Sequence, residues 1–208
     1  MQFEGIVIRR TSYKEGAAMI TVLTKEKLRS FLAKGVLKIS SKNAPSVNLF
    51  TKSLFQTFNG SDGDWLRLGE VIDSYPNISK SFENLAIMDF VSEITNSLID
   101  NQGCKEVYEF LEKTLVCLNK GFSPLTSCLI YFAKVLKNSG YELNSKLLKL
   151  SNERKEKIVK YIFNVNIENF ESVIFNNDEA KGLIFDIADY LNLQSQIEIK
   201  SLTLLREI

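Results

Sequence analysis

The 208-residue sequence contains no histidine. That absence removes the usual general base near neutral pH, the Ser-His and Cys-His pairs of nucleophilic catalysis, and the commonest transition-metal ligand. Cysteine is scarce as well. Cys104, Cys117 and Cys128 are odd in number and form no C-x-x-C pair, which argues against a disulfide framework and against a zinc site. They are expected to be reduced and buried. No apolar run approaches the roughly 18 residues that a membrane helix needs. The opening MQFEGIVIRR, with Glu4 early, has neither the long apolar stretch nor the small-residue cleavage site of a secretory signal. A cytoplasmic protein without membrane contact is the expectation.

What is present is an ordinary globular composition, 45% apolar, enough for a packed interior. The net charge of +1 hides a division. Residues 1–80 hold 12 Lys and Arg against 7 Asp and Glu, whereas residues 81–208 hold 14 against 18. A basic first part and an acidic second part follow.

The first part alternates and turns in the manner of strands. "EGIVIRR" (Glu4–Arg10) and "AAMITVLT" (Ala17–Thr24) are β-branched runs joined by a turn in which Gly16 supplies a positive φ, so a hairpin is expected. "KLRSFLAKGVLK" (Lys27–Lys38) reads as a third strand bent at Gly35. A polar stretch then leads to "KSLFQTF" and "DWLRLGEVIDSY", joined across "NGSDG". Short strands with one long connection suit a small closed barrel, because closure removes exposed edges. An OB-type barrel leads; an SH3-like barrel fits the strand count nearly as well, and periodicity does not separate them.

After "SYPN" the spacing becomes helical. Leu85, Met88, Val91, Ile94 and Leu98 share one face, with Gly103 ending the run. "CKEVYEFLEKTLVCLNKG" follows, and then "SPLTSCLIYFAKVLKNSG", with Ser123 as N-cap and Pro124 in the first turn. Further helices are expected at 152–164, 178–192 and 197–207, while 141–151 is left without regular structure. The fold class expected is therefore α+β in two domains: a five-stranded OB-like β-barrel over 1–78 and an all-α helical domain over 79–208.

The first 35 residues carry a pattern: "EGIVIR", then Tyr13 and Glu15, then "MITVLTKE", then "AKG" at Ala33–Gly35. In order and spacing it resembles the amino-terminal domain of the bacterial recombination mediator family RecO. "LGEVIDSYP" is similar to that family's last barrel strand leading into its first helix, and "YFAKVLKNSGYELN" (Tyr131–Asn144) to a helix ending in a Leu-Gly-Tyr-type turn. The chain departs from the family in two respects: it is shorter than most members, and it lacks a module that many of them carry. Many members carry a four-cysteine zinc module after that turn, and here "SKLLKLSNERKEK" has no cysteine. The resemblance implies a non-enzymatic protein without cofactor that binds single- and double-stranded DNA and anneals complementary strands. It also implies partnership with the ring protein RecR and with the C-terminal tail of single-strand binding protein, indirect action on the recombinase RecA, and a place on the nucleoid at damage sites. A protein-interaction adaptor that has lost DNA contact is the alternative, suggested by the missing zinc module and the low overall charge.

The residues to carry DNA binding are the cations Arg9, Arg10, Lys14, Lys25, Lys27, Arg29, Lys34, Lys38 and Lys42. Phosphate neutralisation by several Lys and Arg releases counterions and gives salt-sensitive affinity indifferent to sequence. From the residues alone the simpler account is a solubilising surface with edge-guarding lysines; the resemblance turns the reading toward DNA. Strand alternation separates Arg29 from Lys34 unless a bulge intervenes. Among Tyr13, Phe31, Phe55, Phe58 and Trp65 most are expected in the core, and Tyr13, in a turn beside Lys14, is singled out to stack on a base. Gly60 and Gly63 form a G-x-x-G, but a strand follows it, so a hairpin turn is expected, not a phosphate loop. Asp62 and Asp64 are too few for a cation site. Glu106, Glu109 and Glu112 read as a solvated helix face.

Overall fold

The computed structural model describes residues 1–14, 16–60, 63–99, 104–142 and 153–208. The chain divides into two compact units. One holds residues 1–75 with the first turn of the second helix through Tyr108, and the other holds 76–99 and 109–208.

In the first unit, β1 (Gln2–Tyr13), β2 (Ala17–Leu23), β3 (Leu28–Ala33), β4 (Lys52–Gly60) and β5 (Gly63–Asp73) close into a barrel in the order β1-β2-β3-β5-β4. Neighbours are antiparallel except β3 and β5, which run parallel and meet at Leu32 and Trp65. That order, with its single parallel contact, is the OB-like Greek key and decides between the two barrels that strand counting left open. Alternation turns Ala18, Ile20 and Val22 of β2 and Phe31 and Ala33 of β3 inward, where they meet Val7, Val36, Val47 and Phe55. The Phe31 and Phe55 rings lie 5.1 Å apart, with Phe3 at 6.1 and 5.8 Å from them. Each such buried ring contributes about 2–3 kcal/mol by removing apolar area from water.

The third strand is shorter than its sequence suggests, ending at Ala33 instead of Lys38. Gly35 adopts φ +67°, open to glycine and strained for other residues, and the chain turns. The Leu37 N–H then donates to the Gly16 carbonyl at 3.2 Å, and Val36 is packed into the barrel core. Beyond Trp65, β5 is met by a side chain: Asn43 Nδ2 donates to the Arg67 carbonyl (3.4 Å), and its Oδ1 accepts from the Gly69 N–H (3.1 Å). One amide side chain thus answers both kinds of backbone group on that edge.

The second unit is helical: α1 (Phe82–Leu98), the greater part of α2 (Cys104–Asn119), α3 (Pro124–Asn138), α4 (Glu153–Asn164), α5 (Asn177–Ser195) and the short α6 (Leu202–Arg206). Every residue of α3 from Leu125 to Leu136 is buried. A helix buried on every side belongs at the centre, and α1, α4 and α5 pack on it. Phe90 meets Phe132 edge-on at 5.0 Å, and the Thr95 and Tyr131 hydroxyls share a 2.7 Å hydrogen bond. The buried face of α1 differs from the expected one: Leu85 is exposed, while Ile87 and Phe90 are fully covered. The last helix is also shorter than the expected 197–207. Its start is set by Glu93, whose carboxylate accepts from the Lys200 and Ser201 N–H groups (2.9 and 2.8 Å) and the Ser201 hydroxyl (2.6 Å). Gly103 and most of 141–151 lie outside the described residues. Among the described residues no helix is long and apolar enough to cross a membrane.

Candidate nucleic-acid interface

The outer face of β1, β2 and β3 follows from register. Directly opposed residues point the same way, so Arg9, Thr21 and Ser30 form one row, and Thr11, Met19, Leu32 and Trp65 form the next. The Thr21 and Ser30 hydroxyls are 3.1 Å apart. A register shift between Val7 and Arg9 comes just before this exposed stretch of β1.

At the end of this face where β1 finishes and β5 begins lies a groove of about 640 Å³. Tyr13, Lys14, Lys34 and Lys38 line it, together with Met19, Ser30, Leu32, Asp64 and Trp65. The Lys14 ammonium lies 5.3 Å from the Tyr13 ring centre and that of Lys34 lies 3.3 Å from the Trp65 ring centre, both within cation–π range. Among the described residues, no acid forms an ion pair with Lys14, Lys34 or Lys38. Among the described residues the groove therefore presents ammonium groups without an acid in ion-pair contact beside aromatic faces, with Asp64 in its lining.

The remaining sequence-predicted cations lie elsewhere. Arg9 is exposed on the same outer face. Arg10 takes the opposite parity and donates to Asn48 Oδ1 at 2.9 Å. Lys25 and Lys27 sit in the β2–β3 turn at the other end of the barrel, roughly 20 Å from Lys34 along β3 at about 3.3 Å per residue. Lys25 lies 5.6 Å from the Tyr108 ring centre, near Glu4. Burial raises the pKa of the Glu4 carboxyl, but the Tyr108 hydroxyl (2.8 Å), Lys52 (3.2 Å) and Lys25 outweigh it and hold it below the usual range. Arg29 shares the inward parity of Phe31 and Ala33; its guanidinium lies 4.8 Å from the Phe3 ring centre and 3.4 Å from Glu26. It covers the barrel core there. Lys42 is exposed in the loop beside Asn43.

Of the aromatics, Phe31 and Phe55 are core, Tyr13 is 40% and Phe58 45% exposed, and Trp65 is half-buried in the groove wall. Trp65 shares strand parity with exposed Arg67, while Leu66 between them packs against the core, and that parity was the available signal for its position. Gly60 pairs with Gly63 across the β4–β5 hairpin; Ser61, Asp62 and Glu15 lie outside the described residues. Glu106 is exposed, Glu109 and Glu112 half-buried. The three cysteines are buried. Burial, helped by Glu171, pushes the Cys117 thiol up to about 11, so it stays protonated and unreactive near neutral pH.

An OB-like barrel followed by a helical unit defines an α+β class of protein whose barrels, as a class, take oligonucleotides on the β2–β3 face and adjoining loops. Residues 1–75 match the family model described as Recombination protein O N terminal. The chain is 31% identical over 135 residues to the DNA repair protein RecO of Listeria welshimeri, covering 64% of this chain and 53% of that one. It is 33% identical over 135 residues to the RecO of Bacillus cytotoxicus (64% and 54%) and 27% identical over 143 residues to that of Oceanobacillus iheyensis (67% and 55%). Residues 1–75 thus match the RecO amino-terminal domain, and the chain spans about half the length of the curated relatives it matches.

Proposed function

We propose that this protein is a non-enzymatic DNA-repair mediator of the RecO type whose barrel groove binds single-stranded DNA. The observation that carries the reading is the convergence of Lys14, Lys34 and Lys38 with Tyr13 and Trp65 in one groove on the β2–β3 side of the barrel. Ammonium groups neutralise phosphates and release counterions whatever the base sequence. Exposed rings accept any base, because every base has a π face. The same neutralisation lowers the repulsion between two strands held together, which is the physical requirement for annealing, and duplex DNA engages through its phosphates alone. Work with RecR and with the tail of single-strand binding protein, and through them the loading of RecA at the nucleoid, belongs to the same reading and is supported by the similarity to RecO proteins.

Fluorescence anisotropy with a labelled oligonucleotide at two salt concentrations tests it. Binding that weakens steeply with salt is expected. Binding indifferent to salt, or none at low salt, would sink the proposal.

A further inference from the structure

Trp65 is held unusually for a groove aromatic. A Cβ at Gly60 would collide with the indole, so the ring lies against bare backbone there. Phe58 meets it edge-on at 5.8 Å, and its strand position is fixed by Leu32 on one side and Phe58 on the other. Its Nε1 is buried with no acceptor among the described residues, so packing, not a hydrogen bond, sets the ring's orientation. The Lys34 ammonium stands 3.3 Å from the ring centre. Lys34 itself is exposed and makes no ion pair among the described residues, where the ring is its close partner.

A ring covered by a lysine is closed to a base until the lysine leaves. A phosphate beside the groove gives that ammonium a full charge in exchange for a quadrupole, and the vacated face becomes a stacking surface. A single strand offers phosphate and an unpaired base together. A duplex offers phosphates, but its bases are stacked on one another and none is free to take the ring.

We infer that Lys34 and Trp65 form a strand selector: Lys34 covers the indole in the unliganded protein, and an unpaired base replaces it as Lys34 turns to the adjoining phosphate. This rests on the groove being the DNA site proposed above. Affinity for phosphate comes from all the groove cations, whereas preference for single strands comes from this pair.

Trp65 is the sole tryptophan, so the intrinsic emission of the full chain reports on this ring. The probes are oligodeoxythymidylate of about 12 nucleotides, within the span of one OB fold, and a duplex of matched length. The single strand should quench the emission in step with anisotropy, and the duplex should bind with emission unchanged. Trp65→Ala should weaken single-strand binding about tenfold, duplex binding less than about twofold, and leave the salt slope as it was. Trp65→Phe, which keeps a ring, should restore most of the loss. Lys34→Gln should lower the single-strand salt slope by about 0.7 while quenching persists. Equal quenching by duplex, equal affinity loss for both probes, or normal salt-dependent binding with silent emission overturns the selector and leaves the DNA site standing. Absence of any salt-dependent binding by anisotropy removes the DNA site and the selector together.

Discussion

Replacing Lys14, Lys34 and Lys38 together with alanine removes the three ammonium groups that line the barrel groove. If each neutralises one phosphate of a single strand, each contributes about 0.7 to the slope of log affinity against log salt, and the triple variant's slope is shallower by about 2. Over a fourfold rise in salt, the native protein should therefore lose about 20-fold more affinity than the variant. All three side chains are exposed, so the fold should change in stability by no more than about 1 kcal/mol, most of it from the Lys34–Trp65 contact. The assay is anisotropy of a labelled single strand across a salt series, with a thermal melt confirming that the variant is folded. Lys25→Ala with Lys27→Ala is the control, since those cations sit at the other end of β3 and Lys25 already faces Glu4. A slope unchanged in the triple variant, or the same fall produced by the control pair, would refute the assignment of phosphate contacts to the groove.

Phe55→Ala, which empties the centre of the Phe3–Phe31–Phe55 cluster, should cost about 3–5 kcal/mol by chemical denaturation; a loss below about 1 kcal/mol would contradict the packing. Asn43→Ala leaves the Gly69 N–H and Arg67 carbonyl without their side-chain partner and should cost about 2 kcal/mol, with faster amide exchange at Gly69 as the local signature. Glu93→Ala should destabilise the helical unit at neutral pH by about 2 kcal/mol after discounting for partial exposure, since three donors lose their acceptor. Burial raises the Glu93 carboxyl, but Ser201, the two backbone N–H groups and Lys200 outweigh it and lower its pKa. Its contribution is therefore present above the ordinary carboxylate value near 4.5 and fades as pH falls through the lowered one, so native protein and variant should converge in acid. Asp89 runs the other way: burial first and then repulsion by Glu93 raise it, so removing Glu93 relieves part of the cost.

The strands and most helices were legible because alternation and helical spacing are local. Gly16 and Gly35 marked real turns, both at positive φ. The OB-type barrel that led in the sequence is the one observed, but strand pattern alone did not separate it from an SH3-like barrel, since the distinction depends on the parallel meeting of Leu32 and Trp65, residues far apart in sequence. The placement of the cations was not legible for a similar reason. Lys25, Lys27 and Lys34 are neighbours in the chain, yet an extended strand carries them to opposite ends of the barrel. Arg29 was within reach of simple alternation, because it shares parity with Phe31 and Ala33, two core residues. Tyr13, Lys14, Lys34 and Lys38 converge because the Leu37–Gly16 hydrogen bond ties the turn after β3 to the β1–β2 turn. Trp65 reads as core by residue type and as groove wall by the strand parity it shares with exposed Arg67; here position outweighs composition.

The groove's role is tested most directly by recording NMR spectra of the isotope-labelled chain as an unlabelled single-stranded oligonucleotide is added. Shifts confined to Tyr13, Lys14, Met19, Leu32, Lys34, Lys38 and the Trp65 indole are the predicted result. Shifts centred on the Lys25–Lys27 turn or on the helical unit, with those groove signals unmoved, would contradict it.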